Sequence, residues 1–310
     1  MRVVALSGGV GGARFLRGLV EASDPDELTI VGNVGDDVEV LGLHVSPDLD
    51  SILYALSGLA DEERGWGRAD ETWNALESAA ALGGEAWFRL GDRDLGLHLV
   101  RTAALRLGEP LSTVTGRLAA SLGLSSQLVP ATDDPLRTWL ATPAGRFPFQ
   151  TWFVARGHRD EVDAVEYAGA DAARPAPGVL EAVSTAALIV LAPSNPYVSI
   201  GPILAVPALR TALAARSAPA VAISPLIGGR AVRGPADRML ERLAGGTTPA
   251  HVARCYAGLI DALVLDEADA DGGAAVAELG VRPIVARTLM DGSDARRRLA
   301  EAALAAAAEL

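Results

Sequence analysis

The chain has 310 residues, and half of them are apolar, which is enough for a sizeable core. Its 33 glycines and 18 prolines can separate the helices and strands by turns. Its formal net charge of −12 argues against nucleic acid or an anionic membrane as a partner, because phosphate-rich surfaces bind positively charged proteins. All 27 basic residues are arginine. The lack of lysine excludes a Walker-type phosphate loop, a pyridoxal phosphate Schiff base and the usual kinase lysine.

The N-terminal residues enter a strand-like run directly, without the charged and then apolar stretch of a secretion signal. No apolar stretch reaches the roughly 20 residues that span a bilayer. The single cysteine, Cys255, cannot form an internal disulfide, which fits a reducing compartment. We therefore expect a cytoplasmic protein with no membrane partner.

Strand-like apolar runs alternate with helical patterns along most of the chain, which is typical of βαβ units and a mostly parallel sheet. The predicted strands are residues 3–6, 28–31, 187–191, 220–224, 262–265 and 283–286. The predicted helices are residues 13–22, 203–215, 236–243 and a terminal helix from about residue 294. The pattern predicts one Rossmann-like α/β domain over residues 1–310, with the sheet flanked by helices. We expect a helical insertion around residues 51–122 and a small β-containing insertion around residues 132–172.

The first candidate site is the glycine-rich segment 7–14, which follows the first strand and opens a helix. Glycines let a ligand approach the backbone, and the N–H groups of a helix N-terminus favour a phosphate. Arg14 occupies the third glycine position of the dinucleotide fingerprint, but its guanidinium can bind a phosphate in a bidentate manner. We favour phosphate binding over a tight turn with a surface arginine. The predicted phosphate-binding residues are Gly8, Gly9, Gly11, Gly12 and Arg14.

Two acidic segments, residues 33–37 and 46–51, follow the second strand. Clustered carboxylates without lysine are typical of a Mg²⁺ site that also holds substrate phosphates. Taken singly, each aspartate is more simply a helix cap or a turn residue. Taken together beside a phosphate-binding loop, they predict a metal or acceptor site.

Three more segments give weaker signals: residues 89–94 are ambiguous on their own, whereas the functional interpretation leads for the loop 192–202. Residues 89–94 precede a helix, so Asp92 is an ordinary N-cap candidate. The loop 192–202 follows an all-apolar strand and offers Ser194, Asn195 and Ser199 to a base or ribose. Residues 224–230, with Arg233 beyond them, could contact phosphates or face water, and we leave these two interpretations level.

The segments that carry a family resemblance are SGGVGGARF (7–15), NVGDD (33–37), SPDLD (46–50), LGDRD (90–94), PSNP with SIGPI (193–203) and SPLIGG (224–229). Together they resemble the 2-phospho-L-lactate transferase family of deazaflavin coenzyme F-420 biosynthesis. The likeness runs in order from Arg2 to about Leu289, which is nearly the whole chain.

The resemblance implies a Rossmann-like homodimer. It would transfer a phosphoenolpyruvyl or 2-phospholactyl group from a guanosine-diphosphate-activated donor to 7,8-didemethyl-8-hydroxy-5-deazariboflavin, releasing GMP with Mg²⁺ present. The alanine- and arginine-rich, lysine-free composition looks actinobacterial, and in those relatives the phosphoenolpyruvate-derived donor is expected.

The resemblance also suggests roles for individual residues. The donor phosphates would lie on residues 8–14 and the guanosine near Ser194, Asn195 and Ser199. Mg²⁺ would be held by Asp37 and Asp50, one of which also takes the proton of the attacking hydroxyl. The residues implied for deazaflavin binding are Asp50, Arg89 and Asp92.

The main alternative is a nucleotide-sugar-binding regulatory protein of similar fold. Such proteins share the glycine loop and an Asp-Asp pair, but the segments 46–50 and 90–94 favour the transferase. A nicotinamide dehydrogenase is a third interpretation. Arg14 and the lack of an acidic residue at the end of the second strand argue against it.

Overall fold

The computed structural model of the protein describes residues 1–308 and 310. The strands are β1 (Val3–Ser7), β2 (Leu28–Gly32), β3 (Val38–Val40), β4 (Leu43–Val45), β5 (Gln127–Pro130), β6 (Arg137–Thr142), β7 (Gly145–Pro148), β8 (Ala164–Ala168), β9 (Leu188–Leu191), β10 (Ala220–Ile223), β11 (Leu226–Ile227), β12 (Arg230–Ala231), β13 (Ala262–Asp266) and β14 (Arg282–Ala286). The helices are α1 (Gly9–Ala22), α2 (Pro47–Leu56), α3 (Asn74–Ala81), α4 (Asp92–Arg106), α5 (Leu111–Ser121), α6 (Val179–Thr185), α7 (Gly201–Leu204), α8 (Pro207–Ala214), α9 (Ala236–Ala244), α10 (Pro249–Cys255), α11 (Gly273–Ala277) and α12 (Ser293–Ala307).

The centre of the molecule is a seven-stranded sheet with the order β14-β13-β10-β9-β1-β2-β5. Every neighbouring pair in it is parallel. The strands β1, β9, β10 and β13 are buried along their whole length, as expected for a sheet covered by helices on both faces. The predicted α/β fold with a mostly parallel sheet is confirmed.

The edge strand β5 was absent from the predicted set. It is short, begins with the exposed Gln127 and ends at a proline, so its sequence lacks the apolar run that marked the other strands. It joins the sheet through parallel pairing with β2.

Two predicted helix boundaries were wrong. Helix α1 begins at Gly9 rather than at residue 13, because its buried face from Gly12 to Leu19 anchors a first turn that glycine propensity alone disfavours. The helix predicted for residues 203–215 is instead the pair α7 and α8, which meet at 90°. Pro207 explains the break, since its ring lacks an N–H and clashes with the preceding turn.

A three-stranded antiparallel sheet, β7-β6-β8, lies outside the main sheet. It packs through a separate apolar cluster that includes Leu140 and Trp152. The backbone N–H of Thr138 in β6 donates to the carbonyl of Gly35 over 2.6 Å. This bond fixes the small sheet against the loop that follows β2.

Among the described residues, no single helix is long and apolar enough to cross a membrane. The segment Pro196–Leu204 satisfies the length and composition criteria only in combination with α8, across the 90° bend.

Candidate active site

Three loops meet at the carboxyl edge of the sheet, where open parallel sheets bind ligands. They follow β1, β2 and β9, which are neighbours in the sheet. The hydroxyl of Ser194 donates to the carbonyl of Gly8 over 2.7 Å, and the side-chain amide of Asn33 donates to the carbonyl of Val198 over 3.1 Å. These bonds join the glycine loop, the first acidic loop and the 192–202 loop into one surface.

The glycines allow this close packing. A methyl group on Gly8 would overlap the carboxylate of Asp48, and one on Gly12 would overlap the hydroxyls of Ser7 and Ser194. Gly9 has a φ of +69°, a conformation that suits glycine. A methyl group on Gly11 would stand 2.9 Å from the carbonyl oxygen of Pro193. The loop therefore requires small residues for packing, whether or not an anion also approaches it.

The carboxylate of Asp48 lies at the N-terminus of α1, a position that the sequence did not predict for it. Its carboxylate accepts a bond from the amide of Asn33 over 2.8 Å and also faces the backbone N–H of Gly9. The positive end of the helix dipole offsets part of the cost of burying this carboxylate. Asp48 also belongs to the first turn of α2, so it couples the two helices.

Asp36 lies next to Asp48 and is also buried. Its carboxylate accepts from the side chain of Gln150 over 3.0 Å. Burial raises the pKa of Asp48 to about 6, against the opposing effect of the Asn33 amide. Burial, together with the charges of Asp48 and Asp37, raises the pKa of Asp36 well above its usual range.

Asp48→Asn is expected to stabilise the protein above pH 6. The folded-state pKa of Asp48 is raised, so its favourable contribution is complete below the unfolded pKa and is lost as the pH rises through about 6. The asparagine removes the buried charge, and we expect a gain of about 2 kcal/mol in the free energy of unfolding at pH 8.

Urea denaturation of the parent protein and of Asp48→Asn at pH 4 and pH 8 would check this. The difference between their free energies of unfolding should shrink towards zero at pH 4. A variant that is equally destabilised at both pH values would show that Asp48 serves as an ionised structural group instead.

Asp37 has one satisfied and one unsatisfied carboxylate oxygen. The Oδ2 atom accepts from the hydroxyl of Ser46 over 3.0 Å and lies 2.9 Å from Nε2 of His44. The Oδ1 atom is buried without a hydrogen-bond partner among residues 1–308 and 310. A buried carboxylate oxygen without a donor suits a cation.

Asp50 forms an ion pair with Arg101 of α4, whose side chain is completely buried. The second contact, from Nη1 to Oδ2, measures 3.1 Å. Nδ1 of His98 lies 3.7 Å from the same carboxylate, and burial lowers the pKa of this imidazole. Sequence reasoning missed both partners. Their spacing relative to Asp94 was a usable signal, because residues at i, i+4 and i+7 share one face of a helix.

The other two residues predicted for the acceptor have contacts away from Asp50. Arg89 is exposed and stacks on Trp73, with its guanidinium carbon 4.2 Å from the ring centroid. Asp92 accepts bonds from Thr72 and Asn74 at the start of α3, and these bonds lower its pKa to about 2. Asp94, two residues further along α4, is a second carboxylate, after Asp50, whose charge acts on His98.

The polar residues of the 192–202 loop lie at the predicted edge of the sheet, where they also stabilise the loop. Asn195 accepts from the backbone N–H of Tyr197 over 2.9 Å and caps the π-helical turn Pro196–Ile200. The hydroxyl of Ser199 would lie 3.2 Å from a methyl group on Gly9. These side chains therefore position the loop against the glycines.

The described residues contain no group of three or more histidine, cysteine, aspartate or glutamate side chains placed to hold a metal ion. Mg²⁺ does not require such a cage, since it commonly binds one or two carboxylates, waters and substrate phosphates. The unpartnered oxygen of Asp37 fits this mode. Asp50 fits it less directly, because both of its oxygens contact Arg101.

A family profile described as 2-phospho-L-lactate transferase CofD matches residues 3–282. The chain belongs to this family. It is therefore a transferase of phosphate-containing groups. The match covers all three loops at the carboxyl edge of the sheet.

Several relatives named phosphoenolpyruvate transferase are similar over most of their length. The protein of Streptomyces griseus is 45% identical over 316 aligned residues, covering 100% of this chain and 99% of that protein. The protein of Streptomyces coelicolor is 44% identical with the same coverage. The protein of Mycolicibacterium smegmatis is 42% identical over 290 residues, covering 87% of this chain and 89% of its own.

A Bacillus halodurans protein described as a member of the UPF0052 family has the same fold. One crystal structure of that bacterial protein matches this chain with a TM-score of 0.65 at 18% identity, and the match covers 98% of this chain and 99% of the other. At this identity the similarity supports the α/β architecture alone.

Proposed function

We propose that this CofD-family protein transfers a phosphoenolpyruvyl or 2-phospholactyl group from a guanosine-diphosphate-activated donor to 7,8-didemethyl-8-hydroxy-5-deazariboflavin, with release of GMP. The supporting observation is that the glycine loop and the aspartates meet in one hydrogen-bonded surface at the carboxyl edge of the sheet. The names of the relatives favour the phosphoenolpyruvyl donor. We propose that the enzyme acts as a cytoplasmic homodimer.

The proposed reaction is a substitution at phosphorus. The terminal ribityl hydroxyl of the acceptor attacks the donor phosphorus that carries the enolpyruvyl or lactyl group. A new P–O bond forms to the acceptor, the bond to the GMP phosphate breaks, and the hydroxyl proton passes to a carboxylate. Reactions of this kind depend mainly on alignment and on neutralisation of the phosphate charge.

The donor phosphates are proposed to bind at residues 8–14, where the first turn of α1 presents backbone N–H groups. The guanosine is proposed to lie near Ser194, Asn195 and Ser199. Asp48 already faces the N–H of Gly9, so the phosphates would use the remaining N–H groups of this turn. Arg14 supplies a positive charge on the same helix.

Asp37 and Asp50 are the proposed catalytic carboxylates. Asp37 would hold Mg²⁺ through its unpartnered oxygen. Asp50 is the second proposed ligand, and the charges of both carboxylates act on Arg101. When bound, the ion would neutralise charge on the donor phosphates. The carboxylate that accepts the hydroxyl proton is one of these two.

The acceptor is proposed to lie beside Asp50, Arg89 and Asp92. The Arg89–Trp73 stack offers a flat surface of the kind that binds fused rings. The bonds that the Asp92 carboxylate accepts from the start of α3 hold this segment in place. Asp92 would then contribute to acceptor binding in two ways: by holding the start of α3 in place and by direct contact with the acceptor.

Mass spectrometry of the product formed from the deazaflavin and each donor would test the proposal. We expect a deazaflavin adduct and an equal amount of GMP, with the two donors giving products that differ by two hydrogens. Asp133→Asn, in the loop between β5 and β6, is the control and should turn over normally, because its carboxylate contacts Ser112 in the first turn of α5. Tight binding of a UDP-sugar without any adduct would favour a regulatory protein instead.

A further inference from the structure

His44 lies beside Asp37 and has no part in the proposed reaction. Its Nε2 atom is 2.9 Å from Oδ2 of Asp37 and 3.2 Å from the hydroxyl of Ser46. An ionised carboxylate can only accept hydrogen bonds, so Nε2 carries the proton of the imidazole. The hydroxyl of Ser46 donates to the same Oδ2 over 3.0 Å. Two donors therefore hold one oxygen of Asp37.

The other oxygen of Asp37 is left available. Oδ1 is buried and has no hydrogen-bond partner among residues 1–308 and 310. The terminal torsion of an aspartate is broad, so a carboxylate without fixed partners can turn and exchange its two oxygens. The bonds to Oδ2 remove that freedom. They decide which oxygen of Asp37 can meet a cation.

His44 is presented by a tight hairpin. The two residues that join β3 to β4 are Leu41 and Gly42, with φ of +51° and +74°. A two-residue turn of this kind fixes the register of a hairpin, and here the register pairs His44 with Glu39. A slip of one residue would move the imidazole to the opposite face. The strained leucine thus belongs to the turn that sets the direction of His44.

The apolar face of the hairpin determines the same direction. Val40 and Val45 pack with Leu90 in a separate buried cluster. Neighbouring side chains of a strand lie on opposite faces. Burial of Val45 therefore places the imidazole of His44 on the other face, where it meets Asp37.

Helix α4 supports both proposed catalytic carboxylates. Its Thr102 accepts from the backbone N–H of His44 over 2.8 Å, and its Arg106 donates to the carbonyl of Gly42 over 2.8 Å. Between the two hairpin contacts and the start of the helix lies Arg101, which binds Asp50. The helix thus holds Asp50 directly and holds Asp37 through the hairpin.

We propose that His44 is a positioning residue that acts through Asp37: the bond from its Nε2 fixes the carboxylate so that Oδ1 is presented to a divalent cation. This role rests on the proposed function, in which Asp37 is a metal ligand. His44 contributes the orientation of Asp37 and needs no contact with either substrate.

Two substitutions of His44 test this role in the transfer assay. Glutamine can still donate an N–H to Oδ2, whereas phenylalanine keeps a ring without a donor. We expect His44→Phe to lower kcat about 10- to 100-fold with little change in the KM for the deazaflavin, and His44→Gln to keep most of the rate. The control is His251→Phe on α10, whose imidazole bonds to Thr248 and which should turn over normally.

A double-mutant cycle shows whether His44 acts through Asp37. In the Asp37→Asn background, His44→Phe should have little further effect on kcat, because the carboxylate that it positions is already lost. The side chain of His44 is 25% exposed, so the unfolding midpoint should stay close to that of the parent protein. Fully additive losses, or a His44→Gln variant as slow as His44→Phe, would overturn the positioning role.

Mn²⁺ binding, followed by electron paramagnetic resonance with and without GDP, gives a result that does not depend on transfer. Mn²⁺ prefers the same oxygen ligands as Mg²⁺. We expect His44→Phe to weaken Mn²⁺ binding about 10-fold and His44→Gln to stay within about threefold of the parent protein.

Equal Mn²⁺ affinity in the parent protein and His44→Phe, or no Mn²⁺ binding by the parent protein, would overturn the positioning role. A parent protein that binds Mn²⁺ in this His44-dependent way but forms no deazaflavin adduct would contradict the proposed function and leave the role of His44 in place.

Discussion

Asp50→Asn is expected to abolish transfer and also to lower the free energy of unfolding by roughly 3–5 kcal/mol. Arg101 is completely buried and Asp50 is its ionic partner, so the substitution leaves a buried charge without compensation. Loss of activity in this variant alone would therefore be ambiguous. Urea denaturation and the product assay should be measured on the same preparation.

The double variant Asp50→Asn with Arg101→Met separates the two effects. Replacing both members of a buried ion pair by uncharged groups is often close to neutral for stability. We expect the double variant to regain most of the lost stability while remaining inactive. Recovery of transfer together with stability would show that Asp50 only supports the fold.

Asp37→Asn is expected to lower the transfer rate by about 10²–10⁴-fold while leaving the unfolding midpoint nearly unchanged. The amide oxygen can still accept the bond from Ser46, so little structural support is lost. The unpartnered oxygen is the atom removed, and with it the proposed contact to Mg²⁺. Steady-state rates across a Mg²⁺ titration, with Asp133→Asn as the control, would check this.

A variant that keeps the parent rate at all Mg²⁺ concentrations would exclude Asp37 from the proposed metal site. A variant that regains the full rate at high Mg²⁺ would place Asp37 in ion binding rather than in proton transfer. The unfolding midpoint distinguishes either outcome from a folding defect.

Much of the fold was predictable because the central strands are apolar on both faces. Strands β9 and β10 are continuous runs of buried residues, and such runs are visible without knowledge of their neighbours. The edge strand β5 lacks such a run and depends on its pairing with β2. Pro207 indicated that the helix would break, but the 90° angle between the two helices depends on packing.

The location of the candidate site was also predictable, because the ends of parallel strands lie at one edge of the sheet. The hydrogen bonds and ion pairs within the site were not predictable. Gln150 reaches Asp36 across 114 residues of sequence, and Asp50 meets Arg101 across 51. No local pattern records such contacts. The exception is α4, where the spacing of Asp94, His98 and Arg101 marks a polar face directed inward.

The crystal structure of the protein grown with GDP and Mg²⁺ would test the central claim most directly. We predict the diphosphate beside the first turns of α1, within reach of Arg14, and the cation on Oδ1 of Asp37. A separate cavity of about 760 Å³, lined by Gly228, Arg238 and Arg242, offers the diphosphate another location. Density for GDP in that cavity, with the glycine loop and Asp37 unchanged, would contradict a shared site for the phosphates and the aspartates.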